Sequence, residues 1–436
     1  MTAQPPSCSA EDRPERVAHV RRAAIGLARV ARVSPWLLRA GLTPRRLRPP
    51  GGRRVLMLTI GDVANDPRVH KVARSLAASE YEVDVLAPAL GAAGERTLEP
   101  GVRVVEVERK WLWRFFVLYQ DEFRAAGLAR SFDYVHANDL TTLTVGWVLA
   151  RIRGVPLVYD AHELWAENVE PSGDGWAPMS SRTRLLARTW ERFLLRSVDV
   201  AVTVGPSIAN ELAQRTRDRR PPLLLPNYPS LSLLDAEVQP STLRADAGVP
   251  DSAFVTLYLG GINPLRNIES VIRAHRHLPD DFVFVVRGPG IDAYAAEYRS
   301  LARAEGVEDR VIMLPPVGMD EVVGAARGAD CGIVMLRNIC RNFYLYYPNK
   351  LFEYALAGIP IAASDFPDVR RFVVGERCGV TFDPDSPESI ARALLWLRAH
   401  PDDSREMGER GRASVLRRHN WEASVGGLVN AYERLA

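Results

Sequence analysis

The segment 348–358 holds the strongest candidates for binding an anionic ligand. A proline near its start and a glycine after its end predict a helix of about three turns. Lys350, one of three lysines among 56 basic residues, lies in the first turn, where the helix dipole disfavours a cation unless an anion lies beside it. Glu353 follows on the same face. The pair suits a nucleotide, with the lysine facing a diphosphate and the carboxylate facing ribose hydroxyls. The alternative is a surface salt bridge.

A second candidate is the glycine turn at 258–267, which follows the first strand predicted in the second half of the chain and opens a helix. Gly260 and Gly261 let the backbone approach a ligand closely, and Arg266 together with the helix N-terminus supplies positive potential. The pattern indicates a phosphate site. The alternative is an ordinary glycine turn with a solvated arginine.

Polar residues also follow three strands predicted in the first half of the chain, at 55–59, 134–136 and 156–159. Ligands bind at the carboxyl ends of parallel strands, so these residues are candidates for a site. They are Asp66 and Arg68, Asn138 and Asp139, and His162 and Glu163, respectively. Taken singly, each is equally well explained by a capping or loop role.

Several familiar motifs are absent from the sequence. No GxGxxG follows the first strand and no GxxxxGK[ST] occurs, which argues against a nicotinamide dehydrogenase or a P-loop NTPase. Asp383 and Asp385 have the spacing of a DxD metal motif, but a turn and a helix cap at Ser386 is the better interpretation. The four cysteines form no CxxC pair and no Cys/His metal spacing, which fits a reducing compartment.

Short apolar runs alternate with helical patterns in two series, which a proline-rich segment at 215–230 separates. Such alternation predicts parallel sheets with helices on both faces and right-handed crossovers. The expected fold class is therefore α/β, with two doubly wound Rossmann-like domains. Ligands of such domains bind at the carboxyl ends of the strands, so a central cleft that both domains face is the expected site.

Residues 1–52 differ from the rest of the chain and are expected to form a basic amphipathic extension. Residues 1–54 carry twelve arginines against three acidic residues, a net charge of +9, which leaves −6 for the remainder. The acidic remainder argues against a nucleic-acid binder. Residues 16–40 mix apolar residues with arginines, and 111–123 is rich in aromatics. Either segment is expected to contact an anionic membrane surface or to pack on the protein.

We expect neither a cleavable signal peptide nor a membrane-spanning segment. Arginines recur through residues 21–32, which argues against a cleavable signal peptide, and no apolar run approaches the roughly 18 residues of a membrane span. We therefore expect a cytoplasmic protein, with peripheral contact to the inner face of the membrane as an open alternative.

From about residue 53 to its end, the chain resembles the retaining GT-B glycosyltransferases of family 4. The resemblance rests on five motifs: Asp66-Pro67-Arg68-Val69, Val135-His136-Ala137-Asn138-Asp139, Val158-Tyr159-Asp160-Ala161-His162-Glu163-Leu164, Leu225-Pro226-Asn227-Tyr228-Pro229, and the segment 348–358 followed by Ile359-Pro360. It implies an acceptor-binding domain at 53–220 and a nucleotide-sugar-binding domain at 221–418. Residues 419–436 are then a helix that crosses back to the first domain.

The resemblance also implies transfer of a hexose from a nucleoside-diphosphate sugar to an acceptor hydroxyl, with retained anomeric configuration, no required metal and no cofactor. His162 matches the histidine near the anomeric carbon, Arg266 and Lys350 match cations facing the diphosphate, and Glu353 matches the acid that holds the ribose. The implied donor side is Gly260, Gly261, Arg266, Arg287, Gly288, Lys350 and Glu353. The implied acceptor side is Asp66, Arg68, Asn138, Asp139 and Glu163.

One departure concerns the sugar. The family often has two glutamates eight positions apart, and position 345 here is Leu345, so the missing contacts must come from the backbone or from Asn342. The acceptor is expected to be a glycan, a lipid-linked or a small-molecule compound, in polysaccharide or glycolipid assembly. Two rival functions share the diphosphate site: a non-hydrolysing nucleotide-sugar epimerase, and a membrane-associated scaffold that binds the nucleotide sugar without turnover.

Overall fold

The computed structural model describes residues 40, 47, 51–63, 66–89, 91–108, 121–173, 175–215, 221–238 and 241–436. The chain divides into two compact units, residues 1–159 with 197–199 and 435–436, and residues 160–196 with 200–434. The membrane predictions for 16–40 and for 111–123 concern segments of which the structure describes only residues 40 and 121–123, and Phe123 is buried. Among the described helices, none is both long and apolar enough to cross a membrane.

The first sheet contains strands from the first half of the chain. They are β1 (Arg54–Leu58), β2 (Glu82–Pro88), β3 (Gly94–Glu99), β4 (Val102–Val107), β5 (Tyr134–Asn138), β6 (Leu157–Ala161), β9 (Val200–Thr203) and β10 (Leu223–Leu224), and β7 (Val169–Ser172) pairs with β8 (Gly175–Pro178) in a separate hairpin. The strand order is β10-β9-β6-β5-β1-β2-β4-β3, and β3 pairs antiparallel with β4. The chain thus runs outward from β1 in both directions, which is the doubly wound arrangement.

The second sheet is also doubly wound. Its strands are β11 (Phe254–Leu259), β12 (Phe282–Arg287), β13 (Val311–Leu314), β14 (Cys331–Val334), β15 (Ile361–Ser364) and β16 (Gly379–Phe382). Their order is β13-β12-β11-β14-β15-β16, and every described pair is parallel. The winding direction reverses between β11 and β14, where doubly wound sheets bind their ligands. The expectation of two doubly wound α/β sheets is confirmed.

Helices connect the strands. Those before β11 are α1 (Pro67–Ala78), α2 (Asp121–Leu128), α3 (Asp139–Arg153), α4 (Ser181–Leu195), α5 (Pro206–Arg215) and α6 (Leu243–Ala247). Those after β11 are α7 (Ile268–His275), α8 (Ile291–Ala304), α9 (Val322–Ala326), α10 (Arg341–Tyr344), α11 (Asn349–Ala357), α12 (Pro367–Val373), α13 (Pro387–Ala399), α14 (Pro401–Arg417) and α15 (Trp421–Glu433). The predicted helix after Pro348 is confirmed as α11.

The second sheet is buried on both faces. Along β11, Val255 and Leu257 pack into one hydrophobic cluster, while Phe254 and Tyr258 point into the cluster on the opposite face. Side chains of a strand alternate between faces, so a sheet covered by helices on both sides needs continuous apolar strands. The strand interiors are therefore largely apolar, and the candidate polar groups lie at the strand ends.

The interpretation of Asp383 and Asp385 as a turn is confirmed. The Asp383 carboxylate accepts a hydrogen bond from the Asp385 amide at 3.0 Å, and the Ser386 hydroxyl caps α13 by accepting from the Ser389 amide at 3.1 Å. Cys331 and Cys378 are free and buried, as expected for thiols that serve as small core residues.

Candidate functional site

The glycine turn after β11 is built by close contact between two backbone segments. The Gly260 amide donates to the Arg287 carbonyl at 3.0 Å, and the Ile262 amide donates to the Pro289 carbonyl at 2.8 Å. A Cβ atom on Gly288 would lie 2.1 Å from the Gly260 oxygen, at a φ of +153°. Glycine is therefore required at 288 so that the loops after β11 and β12 can lie side by side.

Arg266 ends a short 3-10 turn, Pro264–Arg266, that the neighbouring asparagines brace. Asn263 accepts from the Leu265 amide at 3.0 Å, and Asn267, itself at a φ of +60°, donates to the Pro384 carbonyl at 2.7 Å. The Arg266 Nε is buried, and no hydrogen-bond partner for it exists among the described residues. A buried donor without a partner is costly, so this group is suited to an added acceptor.

Lys350 lies in the first turn of α11 and is 9% exposed. Its Nζ sits 4.7 Å from the centre of the Tyr258 ring and would be 3.0 Å from a Cβ atom on Gly260. Burial and, to a lesser extent, the Arg266 charge lower the pKa of Lys350 to about 7, with Glu353 opposing both effects. The ammonium therefore lies against the glycine turn in surroundings that are short of negative charge.

A single tyrosine fixes α11 against β11. The Tyr354 hydroxyl accepts from the Leu259 amide at 2.8 Å and donates to the Leu257 carbonyl at 3.1 Å. Its ring occupies the space above Gly332 in β14, where a Cβ atom would come within 2.4 Å of it. This packing holds the first turn of α11, and with it Lys350, beside the reversal point of the sheet.

Glu353 lies one turn after Lys350 and is half-buried. Its charge and that of Arg266 both act on the Tyr346 hydroxyl, whose pKa burial raises to about 12. The structure thus places Glu353, Lys350 and Arg266 in one neighbourhood, as the sequence predicts. The assignment of Glu353 to a ribose remains a prediction.

The Arg287 side chain is buried at the end of β12 and joins it to two other segments. It is 5% exposed, and its guanidinium donates to Asp246 at 2.6 Å and to the Pro315 carbonyl at 3.0 Å. The bond from Arg287 is the main reason that the pKa of Asp246 is lowered. The described hydrogen bonds of the Arg287 side chain thus hold the loop after β12 in place. The predicted contact of 287–288 with the donor stays a prediction.

The loop after β6 carries His162 and Glu163. The His162 Nε2 lies 3.7 Å from an oxygen of the buried Asp160. The Glu163 carboxylate accepts from Asn168 at 2.9 Å and from Asn342 at 3.3 Å, and the Asn342 oxygen accepts from the Leu164 amide at 2.8 Å. Asn342 thus anchors this loop, a position that differs from the sugar contact considered from the sequence.

The acceptor-side candidates of the first sheet have structural partners. Asp66 caps α1 by accepting from the amides of Arg68 and Val69 at 3.0 and 3.1 Å, and the Arg68 side chain is buried. The side-chain amide of Asn138 donates to the Leu58 carbonyl at 2.9 Å. Asp139 begins α3 at a φ of +61°. Because Leu58 pairs with Ala137, the carboxyl ends of β1 and β5 are adjacent.

Sequence analysis missed two residues of the second sheet's site. Tyr258 lies under the Lys350 ammonium, where a cation is attracted to the face of the ring, and its hydroxyl donates to the Gly261 carbonyl at 2.7 Å. Its place directly before the glycine turn was a usable signal. Asp246 lies 41 positions from its partner Arg287, and no local pattern joins them. Among the described residues, no group of three or more His, Cys, Asp and Glu side chains could hold a metal ion.

Two family models match the chain, "Glycosyl transferase 4-like domain" over residues 66–228 and "Glycosyl transferases group 1" over residues 241–414. The D-inositol 3-phosphate glycosyltransferase of Salinispora tropica is 27% identical in an alignment of 399 positions that covers 83% of this chain and 79% of that one. Sucrose-phosphate synthase from Thermosynechococcus elongatus has a TM-score of 0.71 at 20% identity, with 88% and 99% of the two chains covered.

The Anabaena protein HepE, solved in complex with UDP-glucose, has a TM-score of 0.67 at 17% identity, again with 88% and 99% of the two chains covered. The two family matches together account for most of the chain, in the order that the two sheets follow. The chain therefore belongs to the group 1 glycosyltransferases of the family 4 type and has the GT-B fold.

Proposed function

We propose that this glycosyltransferase moves a hexosyl unit from a nucleoside-diphosphate sugar to an acceptor hydroxyl, with retention of the anomeric configuration. One observation carries the proposal: at the reversal point of the second sheet, Lys350 lies against the glycine turn, and Arg266 in the same turn has a buried Nε without a hydrogen-bond partner among the described residues. Lys350 is buried, Arg266 is partly buried, and burial together with the Arg266 charge outweighs Glu353 in lowering the pKa of Lys350, so the pair is suited to bind an anion. A diphosphate has the charge and the size to contact both.

Fixed cations at this position have a direct catalytic use. When the bond between the anomeric carbon and the diphosphate breaks, negative charge develops on the leaving group. Cations that are already in place stabilise this charge in the transition state without reorganisation. Since side chains supply the positive charge, the proposed reaction requires no metal, and a chelator is expected to leave the rate unchanged.

In the proposed step, the acceptor oxygen bonds to the anomeric carbon on the face from which the diphosphate departs. The acceptor proton passes to the departing diphosphate, so that charge and atoms balance without a covalent intermediate. His162 is proposed to lie near the anomeric carbon. Product stereochemistry measured by NMR is expected to show retention, and an inverted product or a glycosyl group trapped on an Asp or Glu would contradict this step.

The donor and acceptor are proposed from different observations. HepE contains UDP-glucose, which makes UDP sugars the first donors to test. Relatives named as D-inositol 3-phosphate glycosyltransferases make a phosphorylated cyclitol the first acceptor to test, ahead of glycan and lipid-linked acceptors. The proposed acceptor side comprises Asp66, Arg68, Asn138, Asp139 and Glu163.

Thermal unfolding in the presence of UDP, GDP or ADP tests the donor site. Ligand at about 100 times its dissociation constant adds about 2.7 kcal/mol, a shift of a few degrees for domains of this size. One nucleotide is expected to raise the Tm of the wild type, and Glu353→Ala is expected to lose that shift. Glu409→Ala, which removes an exposed carboxylate from α14, is the matched control and is expected to keep it.

Turnover assays then separate the rival functions. Transfer of the sugar with release of the nucleoside diphosphate supports the proposal. Isomerisation of the sugar without nucleotide release would instead indicate an epimerase. Nucleotide binding with neither reaction, over the acceptors named above, would indicate a scaffold. A wild type that no nucleotide stabilises would remove the basis of the donor site.

A further inference from the structure

Helix α4 exposes large apolar side chains that a folded protein usually buries. Leu185 is 66% exposed, Leu186 is 63% exposed and Phe193 is 41% exposed. Trp176, on the hairpin strand that precedes the helix, is 46% exposed. The exposed leucines are adjacent and Phe193 follows two turns later, so they form one ridge rather than scattered exceptions.

The orientation of α4 is fixed by its opposite side. Ala187, Glu191 and Leu194 are all buried. The Glu191 carboxylate accepts a hydrogen bond from Arg215, which ties the buried side of α4 to α5. The helix therefore cannot rotate its ridge inward without exposing the residues that anchor it.

Arginines flank the ridge. Residues 181–196 contain Arg182, Arg184, Arg188, Arg192 and Arg196, against one acidic residue, the buried Glu191. Arg188 pairs with Glu167, whereas Arg182, Arg192 and Arg196 form no ion pair with a described residue. Arg182, Arg192 and Arg196 are themselves exposed. The exposed side of α4 thus combines protruding apolar side chains with positively charged ones.

We propose that this surface, which we call the α4 face (Arg182, Leu185, Leu186, Arg192, Phe193 and Arg196), docks on an anionic phospholipid bilayer. Helices with an apolar ridge between basic residues lie in the interface of such bilayers, with the apolar groups inserted below the headgroups and the arginines at the phosphates. A protein partner would need an apolar groove with a matching acidic rim. An anionic bilayer offers negative headgroups above an apolar acyl region anywhere on its surface. The α4 face is separate in sequence from residues 16–40 and from the diphosphate site.

Vesicle co-sedimentation of the full chain, without nucleotide, tests the proposal. The wild type is expected to bind phosphatidylglycerol-containing vesicles at least about tenfold more strongly than pure phosphatidylcholine vesicles. The triple variant Leu185→Ser, Leu186→Ser, Phe193→Ser is expected to lose about tenfold in binding. The matched control is Val374→Ser, Leu395→Ser, Leu416→Ser, which removes three apolar side chains that are 48%, 37% and 41% exposed elsewhere and should bind as the wild type does.

The charge contribution is tested separately. Arg182→Gln, Arg192→Gln, Arg196→Gln is expected to lose the preference for anionic vesicles. The control Arg299→Gln, Arg392→Gln, Arg417→Gln removes the same charge from α8, α13 and α14 and should keep most of that preference. Since every substitution is at an exposed position, the Tm without nucleotide is expected to stay close to that of the wild type, which shows that folding is intact.

Three results would overturn the proposal. The wild type could fail to bind anionic vesicles. The α4 variants could bind as well as the wild type, which would assign binding to another segment such as 16–40. Sedimentation velocity could show an oligomer that the serine variant dissociates, which would make the α4 face a contact between copies of this chain. None of these results bears on the diphosphate site, so the two proposals fail independently.

Discussion

The carboxyl ends of the two sheets carry polar residues of similar kinds, and the protein uses them differently. In the first sheet, Asp66 caps a helix and Asn138 binds the carbonyl of Leu58. In the described contacts, both side chains form hydrogen bonds with the backbone of the first sheet and its helix α1. At the second sheet, Lys350 is buried with a lowered pKa, and the Nε of Arg266 has no described partner.

This difference teaches how to separate structural from ligand-binding polar groups. A polar residue whose hydrogen bonds the chain itself supplies can be explained by folding alone. A buried charge that the chain leaves short of counter-charge costs stability, so it points to a ligand that supplies the missing charge. By this criterion the residues of the proposed donor site point to a ligand, whereas folding alone can explain the described contacts of Asp66 and Asn138.

The largest effect is expected from Lys350→Met. The substitution removes a cation from the leaving diphosphate, so the transfer rate should fall about 10²–10³-fold, as for the loss of one donor from an oxyanion site. The Tm without nucleotide should stay equal or rise, because a buried charge is replaced by an apolar chain of similar length. Kinetics and thermal unfolding measure the two effects. A variant that loses stability while keeping its rate would make Lys350 structural.

Gly288→Ala should come next. The new Cβ atom would collide with the Gly260 oxygen at 2.1 Å in a backbone conformation that side chains rarely adopt, so about 3 kcal/mol of stability should be lost. Gly261→Ala is the matched control, since no atom lies within 4 Å of its Cβ position, and it should change stability by less than about 0.5 kcal/mol. Urea unfolding measures both, and equal effects would refute the close approach of the two loops.

A pH dependence follows from Lys350. In the unfolded chain the lysine keeps its proton up to about 10.5, and in the folded chain it releases it near 7. Between these pH values unfolding takes up a proton. The free energy of unfolding should therefore rise as the pH increases from about 7 to about 10.5, and this gain should be lost as the pH falls back to about 7. Lys350→Met should flatten this part of the profile, measured as Tm against pH in the absence of nucleotide.

The same proton affects binding. A diphosphate favours the charged ammonium, so nucleotide affinity should fall about tenfold between pH 7.5 and 8.5 as the unliganded lysine loses its proton. Isothermal titration in buffers of different ionisation enthalpy should show proton uptake on binding. Affinity that stays constant over this range would contradict proton uptake by Lys350 on nucleotide binding.

The smallest effect is expected on the first sheet. Asp66→Ala removes the cap of α1 and should cost about 1 kcal/mol of stability without changing the nucleotide-induced Tm shift. Asp66→Asn retains an accepting oxygen and serves as the control. If Asp66→Asn keeps stability but reduces the rate with acceptor, Asp66 also contacts the acceptor, and the contrast between the two sheets becomes weaker.

Much of the fold could be predicted from local signals. Apolar runs located most strands, and Pro348 with Gly358 located α11 because proline and glycine restrict where a helix begins and ends. β3 was missed because it is an edge strand of largely exposed residues, with the sequence GERTLE, and lacks an apolar signal. The short hairpin β7–β8 and helix α12 were missed too. Their sequences contain prolines, which usually mark loops.

The candidate site was predicted in its membership but not in its contacts. The sequence identifies Gly260, Arg266 and Lys350 as residues typical of a phosphate site, through residue type and position along an element. It does not show that Tyr258 lies under the Lys350 ammonium, that Arg287 is held by Asp246, or that Asn342 holds the loop at 163–164. These pairs join residues far apart in the chain.

From the sequence alone, then, the α/β class, the winding of two sheets and the residue types at the strand ends could be derived, since each depends on periodicity and turn chemistry within short segments. The tertiary structure decided which charges are balanced and which are not. Balance depends on strand register and on the packing of distant side chains, which no local pattern contains. The buried Lys350 with its lowered pKa and the exposed ridge of α4 both depend on tertiary packing, and they are the features from which the ligand and the docking surface are proposed.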